Sequence, residues 1–197
     1  MSNIFIISAP SGCGKTSLVK ELCHANISVE QTISYTTRKM RQGEENLKDY
    51  HFVTTNDFLN KIKLGHFIEY QAVYNNYYGT TYESIKEIND TGKDAILEID
   101  YKGMLSIKSV LPNAISIYIL PPNIKELEKR LLNRGQDEKE VIRRRISEAS
   151  RELKFSRFSD FMIINDEFEK ALSSLKSLIL LNKIIKHHEI HKLNMQF

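Results

Sequence analysis

The sequence predicts an α/β fold in which helices cover both faces of a mostly parallel sheet, with a smaller lobe inserted into it. Short apolar runs rich in isoleucine and valine alternate with longer stretches of helical period, as buried parallel strands and their crossover helices do. A glycine-rich loop, SAPSGCGKTS at Ser8 to Ser17, follows the first apolar run directly and opens onto a helical pattern. From Glu30 to Val73 the alternation gives way to polar, tyrosine-rich sequence and then resumes, so that interval is an insertion and not a separate domain. A chain of 197 residues with 41% hydrophobic content can bury one substantial core.

Strands are expected at Ile4 to Ser8, Ala95 to Asp100, Ser116 to Leu120 and Phe161 to Ile164, each a short apolar run. Helices are expected at Lys15 to His24, Ile124 to Asn133, Glu138 to Lys154 and Glu167 to His188. The inserted lobe reads as short antiparallel strands, with Tyr74, Tyr77 and Tyr82 packing it. RLLNRGQDEKEVIRRRISEASREL carries five arginines between Arg130 and Arg145, at spacings that also suit a solvated, ion-paired helix pair. The last helix places leucine and isoleucine at helical spacing, which is core packing; His187, His188 and His191 read as its solvated end and not as a metal site.

A net charge of +3 and a pI near 8.7 are too mild to argue for a nucleic-acid or membrane surface. Asp137, Glu138 and Glu140 offset the arginine segment, and no aromatic platform accompanies it. Two cysteines, Cys13 and Cys23, cannot build a disulfide framework, and no apolar stretch reaches membrane length. A soluble, cytoplasmic protein is expected.

The loop carries the first chemistry. Gly12, Gly14, Lys15 and Thr16 between a strand and a helix form the business end of a P-loop, although Ala9 stands where the strict pattern has glycine. Backbone N–H groups from Ser11 to Thr16 are expected to face one concavity at the positive end of the helix, where anionic phosphates fit. Lys15 brings a compact charge to the β and γ phosphates, and the Thr16 hydroxyl is a ligand for the Mg²⁺ that accompanies ATP. Cys13, at a helix N-terminus, is expected to be unusually reactive. In DAILEID, Glu98 and Asp100 fall on one face of the strand, and resemble the acid that holds Mg²⁺ through water in P-loop enzymes.

The acceptor is read from SYTTRKMRQGEENLKDYHF. Arg38 and Arg41 lie close enough to clamp one phosphate with forked donors, and Tyr50 and Tyr78 add hydroxyls. Glu69 offers two acceptors, which guanine meets with its adjacent N1–H and N2–H₂ donors and adenine does not. Together these features suggest GMP.

APSGCGKT, SYTTRKMRQGEENLKDYHFV, GHFIEYQAVYNNYYGT, ILEIDYKG, RLLNRGQDEKEVIRRR and INDEFEKAL resemble the guanylate kinase family over nearly the whole chain. The second block is the most specific. The resemblance implies a P-loop NTPase-type three-layer core with a parallel sheet at about 1–33, 81–125 and 155–197, a small mixed α/β GMP-binding lobe at about 34–80, and a helical lid at about 126–154. It implies phosphoryl transfer from Mg-ATP to GMP, and possible use of dGMP, in purine nucleotide metabolism and GMP recycling. Residues Ala9, Pro10, Ser11, Gly12, Cys13, Gly14, Lys15 and Thr16 would hold ATP together with Arg130, Arg134 and Asn165. Ser34, Glu69 and Thr80 match guanine-reading positions. Arg38, Arg41, Tyr50 and Tyr78 match the grip on the GMP phosphate, with Glu44 in support, and Glu98 and Asp100 are implied as further GMP-binding residues. Lys15, Arg38, Arg134 and Arg145 are implied as catalytic, and Thr16 and, through water, Asp100 as Mg²⁺ partners. Glu98 departs from the family by standing where aspartate is more usual. Two other readings are a non-catalytic guanylate-kinase-like binding module, which would be expected to lose loop or lid residues, and a kinase for another nucleoside monophosphate, against which Glu69 and SYTTR speak.

Overall fold

The computed structural model describes residues 2–25, 27–73, 75–133 and 139–194. Along the chain lie β1 (Ile4–Ser8), α1 (Lys15–His24), β2 (Val29–Gln31), β3 (Tyr35–Thr36), β4 (His51–Phe52), α2 (Thr55–Lys63), β5 (Phe67–Val73) and β6 (Asn76–Thr81). There follow α3 (Tyr82–Asp90), β7 (Asp94–Glu98), α4 (Tyr101–Val110), β8 (Ile115–Leu120), α5 (Ile124–Asn133), α6 (Lys139–Glu152), a 3-10 turn (Leu153–Phe158), β9 (Phe161–Ile164) and α7 (Phe168–Asn194). Five strands make the main sheet in the order β2-β7-β1-β8-β9, and a second sheet runs β4-β3-β6-β5.

The chain divides into two compact units, Met1–Ser8 with Glu30–Ser116, and Ala9–Val29 with Ile117–Phe197. The first of these units contains the inserted lobe together with β1 and β7. In the first unit β1 and β7 pair in parallel from Ile4 opposite Ala95 to Ile7 opposite Glu98. Phe5, Ile6, Ile7, Ala95, Ile96 and Leu97 are fully buried, which is why both strands read as unbroken apolar runs. In the second unit β8 pairs in parallel with β9, and α1 packs on α7. Leu18, Val19 and Leu22 supply the buried stripe of α1.

The lobe is mixed and not purely antiparallel: β3 pairs in parallel with β4, whereas β6 pairs antiparallel with both β3 and β5. It also contains α2, whose Phe58 is fully buried and stacks on Phe67 and Tyr77 at ring separations of 4.4 and 5.4 Å. Tyr77 thus packs the lobe as expected; Tyr82 is largely exposed, and Tyr74 lies outside the described residues. In β5 an extra residue intervenes between Phe67, opposite Thr81, and Glu69, opposite Thr80. This bulge at Ile68 leaves Phe67, Ile68 and Glu69 all buried, which strict alternation would not allow.

The expected strand at Ala95 to Asp100 stops at Glu98. Asp100 instead caps α4, its Oδ1 accepting the Gly103 N–H at 2.8 Å, so the same-face argument for Glu98 and Asp100 does not hold. The helices α2, α3 and α4 were not among the sequence-based expectations: each is short and its ends are set by local caps. Of the expected arginine-rich helix, Lys139–Glu152 is helical and Glu138 lies outside the described residues; the C-terminal helix extends past His188 to Asn194. Thr81 caps α3, its hydroxyl accepting the Ser84 N–H at 3.2 Å while itself buried. Replacing Thr81 by alanine removes that acceptor and should lower unfolding free energy by about 1 kcal/mol, seen as a lower urea midpoint at an unchanged slope.

Candidate active site

The second unit holds the loop. Gly12 and Gly14 have φ of 89° and 84°, a left-handed backbone that side chains rarely adopt. Space imposes the same choice: a Cβ on Gly12 would lie 2.9 Å from the side chains of Leu127 and Leu131 on α5, and one on Gly14 would lie 2.5 Å from Asn165 Nδ2. Gly14 is the residue before α1, offers no side-chain cap, and is followed by no acidic residue in the first turn, so the helix end keeps its positive potential. Lys15 and Thr16 are the first two residues of α1, half-buried and exposed respectively. The Cys13 N–H turns back toward the Pro10 carbonyl at 3.4 Å, a partner the expected concavity of N–H groups did not include.

Asn165, expected near the adenosine of ATP, lies beside the loop. It is buried, its side-chain amide donates to the Cys13 carbonyl at 2.8 Å, and its backbone N–H donates to the Leu120 carbonyl at 2.8 Å. It therefore ties the loop to the end of β8. Arg130 Nη1 donates to the Asn165 carbonyl at 2.9 Å and Nη2 to the Asp166 carbonyl at 3.4 Å, while Nε meets Glu126 at 3.3 Å. Arg145 lies on α6 and is half-buried. Arg134 lies outside the described residues, as do Asp137 and the side chains of His187, His188 and His191.

The first unit gathers the residues expected to bind the acceptor. Arg38 presents its fork to Glu44, Nη1 to Oε2 at 3.0 Å and Nη2 to Oε1 at 2.7 Å, the planar geometry with which a guanidinium also holds a phosphate. Glu44 Oε2 also accepts the Arg41 backbone N–H at 2.7 Å, so one carboxylate joins both arginines of the expected clamp. The hydrogen bond to Arg38 holds the Glu44 carboxyl below its ordinary range. The Arg38 guanidinium lies 5.5 Å from the Tyr50 ring centre and 5.7 Å from that of Phe52. Burial, with Glu98 and Tyr78 nearby, pushes the Tyr50 phenol up to about 12, so it remains a proton donor at neutral pH. Tyr78 on β6 meets the Tyr50 ring edge-on at 6.1 Å. Glu98, at the end of β7, accepts from Gln31 Nε2 at 3.1 Å.

Ser34, Glu69 and Thr80 are distant in sequence and adjacent in the fold. The Ser34 and Thr80 hydroxyls are 3.2 Å apart, and Glu69 faces Thr80 across the β5–β6 ladder. Glu69 is only 6% exposed, a burial that carboxylates seldom reach without partners. Sequence reasoning missed two threonines that fix the neighbouring segment. Thr36 donates to the Tyr77 carbonyl at 3.0 Å and accepts the Arg38 N–H at 3.1 Å, and Thr37 accepts the Tyr77 N–H at 2.9 Å. Their only sequence signal was adjacency to Arg38.

The family model for guanylate kinase matches residues 1–181. The chain belongs to the guanylate kinase family. It is 43% identical to a guanylate kinase of Hydrogenovibrio crunogenus, over 96% of this chain and 93% of that one. It is 44% identical to one of Shewanella violacea, over 98% and 93%. Among solved structures, guanylate kinase from Anaplasma phagocytophilum matches 92% of this chain and 86% of its own, with a TM-score of 0.76 at 26% identity. As a member of the family the chain is an enzyme, a nucleotide-binding kinase. No helix among the described residues is long and apolar enough to cross a membrane.

The expected reactivity of Cys13 is overturned. Its side chain is fully buried, and burial pushes the thiol from 9.0 up to about 12, outweighing the positive potential of the helix end and of Arg130. The raised value means that the folded protein keeps the proton longer than the unfolded chain. The stability this contributes is complete below about pH 9.0 and is lost as the pH climbs toward 12. At pH 8 a thiol reagent should modify Cys13 only after denaturant is added, and Cys13→Ala should flatten the alkaline fall of the urea midpoint between pH 9 and 11. Rapid labelling of native Cys13 would contradict this placement.

Proposed function

We propose that this guanylate kinase family member transfers the γ-phosphoryl group of ATP to GMP, giving ADP and GDP. The observation that carries the reading is the buried Glu69 facing Thr80 beside the Ser34 hydroxyl. A carboxylate held there reads paired N–H donors, as guanine presents, and rejects a base that leaves it unpartnered. Arg38, Arg41, Tyr50 and Tyr78 hold the GMP phosphate, with Glu44 orienting the Arg38 fork.

The loop from Ala9 to Thr16 holds the ATP phosphates on backbone N–H groups, and Lys15 adds its ammonium. Thr16, exposed in the first turn of α1, is a hard hydroxyl donor of the kind Mg²⁺ takes, and it fits the ion that travels with ATP. Asp100, whose Oδ1 accepts the Gly103 N–H of the helix it caps, would hold the ion through water. When bound, Mg²⁺ would supply charge neutralisation at the phosphates. An oxygen of the GMP phosphate forms the new bond to the γ-phosphorus as the bond to the bridging oxygen breaks, leaving ADP. That oxygen is already anionic near neutral pH, so no side chain need remove a proton. Lys15, Arg38, Arg134 and Arg145 act by neutralising and aligning the transferring group. Arg130 and Asn165 brace the ATP side. The free thiols suit a reducing compartment, and we place the reaction in the cytoplasm.

A coupled ADP-release assay with Mg-ATP and GMP, dGMP, AMP, CMP or UMP tests the reading. GMP should turn over strongly and AMP weakly. Lys15→Ala and Arg38→Ala should each lower kcat/KM by roughly a hundredfold or more with the fold intact. Near-normal activity in either variant would remove the role assigned to that residue, and ATP binding without turnover of any acceptor would favour a binding module.

A further inference from the structure

Gly103 lies in the first turn of α4, is buried, and has no left-handed φ, so no backbone requirement explains it. Glycine is among the poorest residues for a helix interior, and alanine would suit the backbone better. The space around it supplies the reason. A Cβ at Gly103 would stand 2.9 Å from Glu69 Oε2, and 3.2 and 3.3 Å from Ile99 Cδ1 and Cβ. Real Cβ atoms essentially never come that close to an oxygen, so one partner must give way. Between them, the carboxylate at the end of a flexible side chain moves more readily than Ile99, which packs at the end of β7.

We infer that Gly103 is a specificity-determining positioning residue: its missing Cβ leaves the room in which the Glu69 carboxylate stands, and so sets how Glu69 meets the base of the acceptor nucleotide. The inference rests on the proposed use of GMP. Gly103 does not touch the base; it acts through Glu69. Two local features fix its position. Asp100 accepts the Gly103 N–H at 2.8 Å, which anchors the first turn, and α4 packs on β5, the strand that carries Glu69. The β5 bulge at Ile68 lets Glu69 be buried next to Phe67 and Ile68, with its carboxylate against the first turn of α4, while Tyr70 takes the exposed side of the strand. Adding one methyl group therefore displaces a hydrogen-bonding carboxylate while leaving the helix at least as well formed.

The test is Gly103→Ala, assayed with GMP and with inosine monophosphate, which keeps the ring N1–H and lacks the 2-amino group. The KM for GMP should rise roughly tenfold, as for a lost hydrogen-bonding partner, while kcat and the KM for ATP change little and thermal unfolding stays unchanged or moves upward. The preference for GMP over inosine monophosphate should shrink with it. In a Glu69→Asp background the carboxylate is one methylene shorter, and Gly103→Ala should there cost less than in the wild type. A KM for GMP within twofold of wild type overturns the inference. So does an equal loss with both nucleotides accompanied by a lower unfolding temperature, which would make the glycine a packing residue for Ile99. Wild-type turnover of GMP over AMP, run alongside, separates the two levels: if it is missing, the functional reading itself fails.

Discussion

The parallel pairing of β1 with β7 is the constraint on which the first unit depends. Two strands buried on both faces can exchange backbone hydrogen bonds only with sheet neighbours, and their pairing runs to Ile7 opposite Glu98, the last residue of β7 and the last but one of β1. The Ile99 N–H still reaches the Ile7 carbonyl at 3.2 Å, one residue past the strand. From that point β1 leads into the phosphate loop, and β7 gives out Glu98, the Asp100 cap and the first turn of α4. In the first unit Glu98 and the Asp100 cap thus follow the carboxyl end of β7, the end of a strand at which α/β folds generally bind ligands.

The arginine clamp shows how folding prepares a polar site. Arg38 is held by Glu44, by the faces of Tyr50 and Phe52, and through its backbone by Thr36. A long side chain ordinarily gives up rotamer freedom when a ligand fixes it. Here Glu44 and the two rings already order it in the folded chain, which is the preorganisation that the proposed phosphate contact would draw on. The electrostatic cost is shared in the same way, since Glu44 already offsets the desolvation of the guanidinium.

What the sequence made legible was local. The loop from Ala9 to Thr16 was readable because strand, glycines, lysine and helix follow one another, and β1, α1, α5 and β9 have the expected bounds. Glu69 and Thr80 could be named as a pair only through resemblance, since ladder register is not written in either segment. Asp100 was misassigned because period-two alternation was carried past the residue where the strand ends, and an aspartate before a helix is itself a cap signal. Cys13 was misjudged for a different reason: position at a helix N-terminus is visible in sequence, whereas burial beneath neighbouring elements is not. Gly103 carried no signal at all, because the oxygen that excludes its Cβ belongs to a residue far away along the chain.

The bulge in β5 gives this strand an unusual relation to change in length. Substitution at Tyr70 or Ala72, on its exposed side, alters a surface and leaves the ladder alone. Loss of Ile68 would restore regular pairing with β6, and with it strict alternation, so Phe67 and Glu69, then adjacent, could no longer both face the interior. The strand would still form and the lobe would still close. This edge of the lobe can thus vary in the composition of its exposed positions, while the ladder register fixes its residue count.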